Sequence, residues 1–135
     1  MPSWLVLDKF QNSRVLPALI WTVLLLIAML SPGDKFPSTP QIPHKDKIVH
    51  FMLFFILNFL WLRIWMNEAN SKKKYLKLFT SYLVFGIIIA ILVEYLQLYV
   101  PNRSFDYFDI AANMLGAAFG IICFYILYKM DSKLV

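Results

Sequence analysis

The sequence predicts an all-α integral membrane protein: a four-helix bundle with both termini in the cytoplasm. Three observations carry that expectation. Of 135 residues, 60% are hydrophobic, and the mean hydropathy is +0.64, well above the apolar share of a soluble domain. Four apolar runs occupy residues 15–30, 48–66, 78–100 and 110–130, and crossing hydrocarbon takes about 20 residues. Positive charges are unequally shared between the two sides that these runs would separate.

Runs of this length satisfy their backbone in lipid only as helices, since strands would need a closed barrel. The expected spans are about 13–31, 47–66, 77–100 and 107–129, within a single membrane unit of residues 1–135. The first run is short. Lys9 and Arg14 precede it as in a signal peptide, but Leu30-Ser31-Pro32-Gly33 lacks a small-residue cleavage pattern, so it is expected to be a retained helix. Residues 31–47 hold Pro32, Pro37, Pro40 and Pro43 and are expected to be extended. Residues 67–77, with Lys72, Lys73, Lys74 and Lys77, are expected to be a loop, and residues 101–105 a tight turn opened by Pro101.

Nine cations (Lys9, Arg14, Arg63, the four loop lysines, Lys129 and Lys133) fall on one side of the spans. Four (Lys35, Lys45, Lys47 and Arg103) fall on the other. Cytoplasmic loops carry the excess of Lys and Arg. The proline-rich loop and the turn at residues 101–105 are therefore expected outside. The net charge of +5 sits beside the apolar runs and fits anionic headgroups, with no nucleic-acid partner expected. The lone cysteine, Cys123, excludes a disulfide within the chain.

One stretch breaks the oil: EYLQLYVPNRSFDYFDIAAN, residues 94–113. Residues spaced by three or four share a helix face. Gly86, Ala90, Glu94 and Gln97 form one such stripe, and Asp109, Asn113, Gly116 and Gly120 another. Folded back at the turn, the stripes mirror each other. Gly86 and Ala90 are expected to pack on Gly120 and Gly116, because small-xxx-small spacing lets helices approach closely. The second span opens with KDKIVH, which adds Asp46, Lys47 and His50 at the same end.

At about 1.5 Å per residue, His50, Glu94 and Asn113 lie roughly 6 to 10 Å below their helix ends. The expectation is one polar pocket beneath the outer interface, built by three helices from Asp46, Lys47, His50, Glu94, Gln97, Arg103, Asp106, Asp109 and Asn113. Ionisable groups in a membrane face inward and pair. Arg103 with Asp106 or Asp109, and His50 with Glu94, are the expected pairs. Simpler roles stand beside these. Asp106 and Asp109 fit a helix cap, and Asp46 could cap the second helix. Lys47 and Arg103 could snorkel to the headgroups. Trp61, Trp65, Tyr75, Tyr99, Tyr107 and Tyr128 could form interfacial belts. Asn58 and Cys123 are expected to pack.

DKIVHF (46–51), EYLQ (94–97) and the spacing R-x-x-D-x-x-D-x-x-x-N (103–113), followed by Gly116 and Gly120, resemble the VanZ-like family of small bacterial membrane proteins. The resemblance covers residues 46 to about 120 and leaves the first helix unmatched. It implies a multi-pass protein of the bacterial cytoplasmic membrane, acting at the cell envelope. It also implies an association with resistance to glycopeptide antibiotics such as teicoplanin.

The function expected is binding, by the polar pocket, of a lipid headgroup, a lipid-linked wall precursor or a glycopeptide-type antibiotic. The partners are then membrane lipids or a lipid-linked envelope component. There is no H-E-x-x-H, nucleophile elbow or phosphate loop, so no enzyme activity, cofactor or metal is expected. The enzymatic alternative is a lipid-headgroup hydrolase or transferase, with His50, Glu94 and Asp109 holding a divalent cation or exchanging protons. A third reading makes the polar layer a structural network in a partner-binding scaffold.

Overall fold

The computed structural model describes residues 3–32, 44–66, 73–131 and 133–135, with side chains from residue 13 onward. Among these residues every regular element is helical. They form α1 (Ser3–Leu30), α2 (Lys45–Trp65), α3 (Lys74–Gln97) and α4 (Tyr107–Lys129). Each holds a window long and apolar enough to cross a membrane, which in α1 is Ser13–Leu30. Pro37, Pro40 and Pro43, Lys35 and Lys72, and with them most of the expected extended loop, lie outside the described residues.

Helix lengths differ from expectation where polarity and helicity part company. The helix α1 begins at Ser3, ten residues before the expected span, because helical backbone can continue past the apolar run. Lys74 and Lys77 belong to α3, not to a loop, and Lys77 Nζ donates to the Trp65 carbonyl at 2.6 Å. At its other end α3 stops at Gln97, short of the expected residue 100. Pro101 disfavours helical backbone at Val100. The chain tightens there through Tyr99 N–H to the Leu96 carbonyl (3.1 Å) and Val100 N–H to the Gln97 carbonyl (3.1 Å). Asn102 then adopts a φ of 60°, a left-handed conformation that asparagine tolerates.

Burial follows the helical period. On α2 the inward residues are His50, Phe54, Leu57, Asn58 and Leu62; on α4 they are Asp109, Asn113, Gly116, Ala117, Gly120 and Phe124. Outward stand Ile48, Val49, Met52, Leu115, Phe119, Ile122 and Ile126. An apolar exterior around buried polar groups is the pattern that hydrocarbon solvent demands. Trp61 and Trp65 are half-buried. They pack on the buried core beside Phe85, and Trp61 Nε1 donates to Thr22 Oγ1 at 3.1 Å. Tyr75, Tyr99 and Tyr107 are exposed, as a belt requires.

The centre of α3 departs from α geometry, with Tyr82–Ile88 forming a π-helical segment. Its wider turn brings Ser81 and Gly86, five apart, to the buried face. From there Ala90, Val93, Glu94 and Gln97 continue the same face.

The principal helix pair is α2 with α4, and this corrects the expected glycine pairing. A Cβ added at Gly116 would clash with the Phe51 carbonyl oxygen, and one at Gly120 would lie 2.5 Å from the Phe55 carbonyl oxygen. Both glycines thus admit the α2 backbone and do not face α3. The residue of α4 nearest Gly86 is Ala117, 3.1 Å from an added Cβ. Ala117 lies one position further round α4 than Gly116, which turns it from α2 toward α3.

Replacing Gly116 with Ala should lower stability by about 1–3 kcal/mol or block folding, since overpacking against backbone cannot relax. Gly86→Ala should cost less, because its nearest obstacle is the movable Tyr82 side chain. Thermal unfolding in detergent checks the order; a Gly116→Ala protein as stable as wild type would refute the close approach.

Candidate functional site

Four helix ends converge at one end of the bundle. The start of α2 supplies Asp46, Lys47 and His50, the end of α3 Glu94 and Gln97, and the start of α4 Asp109 and Asn113. The intervening turn supplies Arg103 and Asp106. His50, Glu94, Gln97, Asp109 and Asn113 are buried, with Glu94 and Asn113 at 0% exposure.

Lys47 is the cation that holds the start of α4. Its ammonium lies 2.7 Å from Asp106 Oδ2 and 2.8 Å from Asp109 Oδ1, and 5.9 Å from the centre of the Phe108 ring. The expected partner for these aspartates was Arg103. Arg103 donates to the carbonyls of Ser31 (3.2 Å) and Ala28 (3.3 Å). The physical reason lies in α1, whose last carbonyls lack partners within the helix and attract a cation. Gln97 Nε2 likewise donates to the Met29 carbonyl, at 2.9 Å. The first helix is therefore part of the cluster. Sequence reasoning missed it because a backbone carbonyl carries no residue signature.

Asp106 is the N-cap of α4, its Oδ1 accepting from Phe108 N–H at 2.8 Å. Its own N–H donates to Glu94 Oε1 at 2.8 Å, so one residue ties α3 to the start of α4. Asp46 is not the N-cap residue of α2, a position that His44 holds. Asp46 stands half-exposed at the rim, 3.5 Å from Lys47 Nζ, where an acid in the first turn favours the helix dipole.

His50 was expected to pair with Glu94. Its Nδ1 lies 3.0 Å from Asn113 Oδ1, and its Nε2 is 3.8 Å from Asp109 Oδ2, beyond hydrogen-bond range. Glu94 is close by: His50, Glu94 and Asp109 can each offer one ligand atom with all three within 4.8 Å of one another. Glu94 Oε2 and Asn113 Nδ2 are buried and lack a hydrogen-bond partner.

A second polar tie lies deeper in the bundle. Asn58 Nδ2 donates to the Ala117 carbonyl at 3.0 Å, and Ser81 Oγ donates to Asn58 Oδ1. This joins α2, α3 and α4 and bears out a packing role for Asn58. Ser81 was not singled out, since serine in an apolar run gives little signal until its partner is known.

Fold and cluster together define a small polytopic membrane protein with ionisable side chains gathered at one end of its helices. The chain belongs to the VanZ/LLP1 family, whose model matches residues 8–128 and so includes the first helix. It is similar to an uncharacterized protein of the fission yeast Schizosaccharomyces pombe, 29% identical over 122 residues that cover 90% of this chain and 68% of that one. The similarity thus reaches a eukaryote. No solved structure matches the chain.

The Asp106 carboxyl sits below its ordinary value of 3.8, mainly because the Lys47 ammonium and then Phe108 N–H favour its anion. A carboxyl depressed in the folded state adds stability that is complete above 3.8 and is lost as pH falls through the lower folded value. The thermal-stability gap between wild type and Asp106→Asn should therefore hold across neutral and mildly acidic pH and close at more acid pH. A gap unchanged at the acid end would refute the ion pair's contribution.

Proposed function

We propose that this protein binds the polar headgroup of a membrane lipid, at the end of the bundle where α1 to α4 gather Lys47, His50, Glu94, Arg103, Asp109 and Asn113. The observation that carries this reading is that two buried atoms of this cluster, Glu94 Oε2 and Asn113 Nδ2, have no hydrogen-bond partner. Buried polar groups are almost always satisfied, so an unsatisfied acceptor and an unsatisfied donor in one cluster favour a ligand bearing both kinds of group. Lys47, and Arg103 at the turn, supply cations for a phosphate. Glu94 suits an amine or hydroxyl of the headgroup.

Charge asymmetry supports an orientation with this end on the non-cytoplasmic side and both termini inside. In a bacterium that is the outer face of the cytoplasmic membrane, where lipid-linked wall precursors offer the same phosphate chemistry. The similarity to a yeast protein favours the ligand common to both kinds of cell, an ordinary phospholipid. Binding of a glycopeptide antibiotic such as teicoplanin, with a change in susceptibility, is the finer form of the reading.

Orientation is checkable with single cysteines in a Cys123→Ser background. Ser104→Cys, in the exposed turn, should react with an impermeant maleimide in intact cells, and Lys73→Cys only after permeabilisation. The reverse pattern would invert the topology.

For binding, the purified chain should retain a phospholipid through delipidation, detected by native mass spectrometry. Glu94→Gln and Asp109→Asn should lose it by tenfold or more while their melting temperatures stay near wild type. Melting temperatures that collapse while lipid stays bound would assign the cluster to helix packing. Selective retention of an added wall precursor or of teicoplanin would replace phospholipid as the ligand.

A further inference from the structure

We infer that His50, Glu94 and Asp109 form a binding site for a divalent transition-metal ion. The three residues come from three helices, all are buried, and they bring one ligand atom each within 4.8 Å of one another. Proximity of acids alone would mean little. Here each of the three also has its other polar atom occupied. His50 Nδ1 meets Asn113 Oδ1 at 3.0 Å, Asp109 Oδ1 takes Lys47 Nζ at 2.8 Å, and Glu94 Oε1 takes Asp106 N–H at 2.8 Å. What remains is His50 Nε2, Asp109 Oδ2 and Glu94 Oε2. Outer partners that fix a ligand's second atom and leave the first free are the usual support of a metal site.

The partnerless Glu94 Oε2 is the independent observation. It belongs to a residue with 0% exposure and accepts no hydrogen bond. A buried carboxylate oxygen without a donor is costly, and a cation supplies what is missing.

Geometry agrees in scale. The 3.8 Å between His50 Nε2 and Asp109 Oδ2 is too long for a hydrogen bond. Two ligands about 2.1 Å from a shared tetrahedral ion stand about 3.4 Å apart. With all three ligand atoms within 4.8 Å of one another, binding requires them to close inward by at most about 1.4 Å.

One imidazole with two carboxylates suits Zn2+ or Mn2+ better than Ca2+ or Mg2+, which prefer all-oxygen shells. Three protein ligands leave a coordination position open. The inference concerns the same cluster as the headgroup reading but does not depend on it, because metal binding is measurable without lipid.

The test uses the full chain in detergent, delipidated and stripped with EDTA, then loaded with Zn2+ or Mn2+. Elemental analysis should find one ion per chain, with a raised melting temperature. Glu94→Gln and His50→Ala should fold in EDTA yet bind no ion and show no metal-dependent rise. A wild-type chain that takes up no metal overturns the inference, as do variants that bind as much as wild type. Should a variant fail to accumulate, the visible spectrum of Co2+-loaded wild type decides. Intense d–d bands of a low-coordinate site support the inference, and the spectrum of hydrated Co2+ overturns it. Lipid retention without metal would sink this proposal and leave the headgroup reading intact. Metal without lipid retention would do the reverse.

Discussion

The interaction on which this end of the molecule depends is the Lys47 ammonium held between Asp106 and Asp109. Hydrocarbon offers no hydrogen-bond partner, so carboxylates at the start of a membrane helix must find their donors within the chain. Lys47 brings them from α2, at 2.7 and 2.8 Å. That fixes where α4 begins, and Asp106, so held, caps α4 with its side chain and reaches Glu94 of α3 with its backbone N–H. A single cation thereby sets the relative placement of three helix ends.

The close packing below is continuous with that clasp. Gly116 admits the carbonyl of Phe51, and Phe51 follows His50 in the chain. Asn113 stands one turn before Gly116 on the same face of α4. The approach that glycine permits is therefore the approach that lets Nδ1 of His50 come within 3.0 Å of Asn113 Oδ1. A side chain at position 116 would push apart the helices that carry the polar cluster, which links a packing residue to the chemistry a turn away. Small residues at such crossings act by admitting backbone, and their identity matters more than their hydrophobicity.

Much of this was legible in the sequence because hydropathy and helical period are local properties. The four spans, the inward stripes on α3 and α4, the Asp106 cap and the polar residues of the cluster all follow from them. Pairing was less legible. Arg103 and Lys47 are both cations near the same aspartates in sequence terms, and only the three-dimensional position of the α1 carbonyls distinguishes their roles. The glycines of α4 were assigned to α3 because the hairpin between those helices is short. Yet the deepest contact is with α2, separated from α4 in sequence by the whole of α3. The π segment at Tyr82–Ile88 has no local signature either; it reconciles Ser81, facing Asn58, with Glu94 and Gln97, facing the cluster.

Two polar layers cross this bundle, and their difference bears on what the outer one is for. In the deeper layer Asn58 uses its amide nitrogen on Ala117 and its oxygen on the Ser81 hydroxyl. Nothing there is left over, as befits a tie between helices. In the outer layer, Glu94 and Asn113 are as deeply buried, yet each keeps one atom unspent. Interhelical hydrogen bonds in membranes average only about 0.6 kcal/mol, so a network kept for packing has little reason to bury an acid and an amide half-satisfied. A layer that must accept something from outside the chain has to leave atoms free. That contrast, between a closed tie and an open one in the same bundle, is the physical argument behind the proposal that the outer layer binds a ligand while the inner one joins helices.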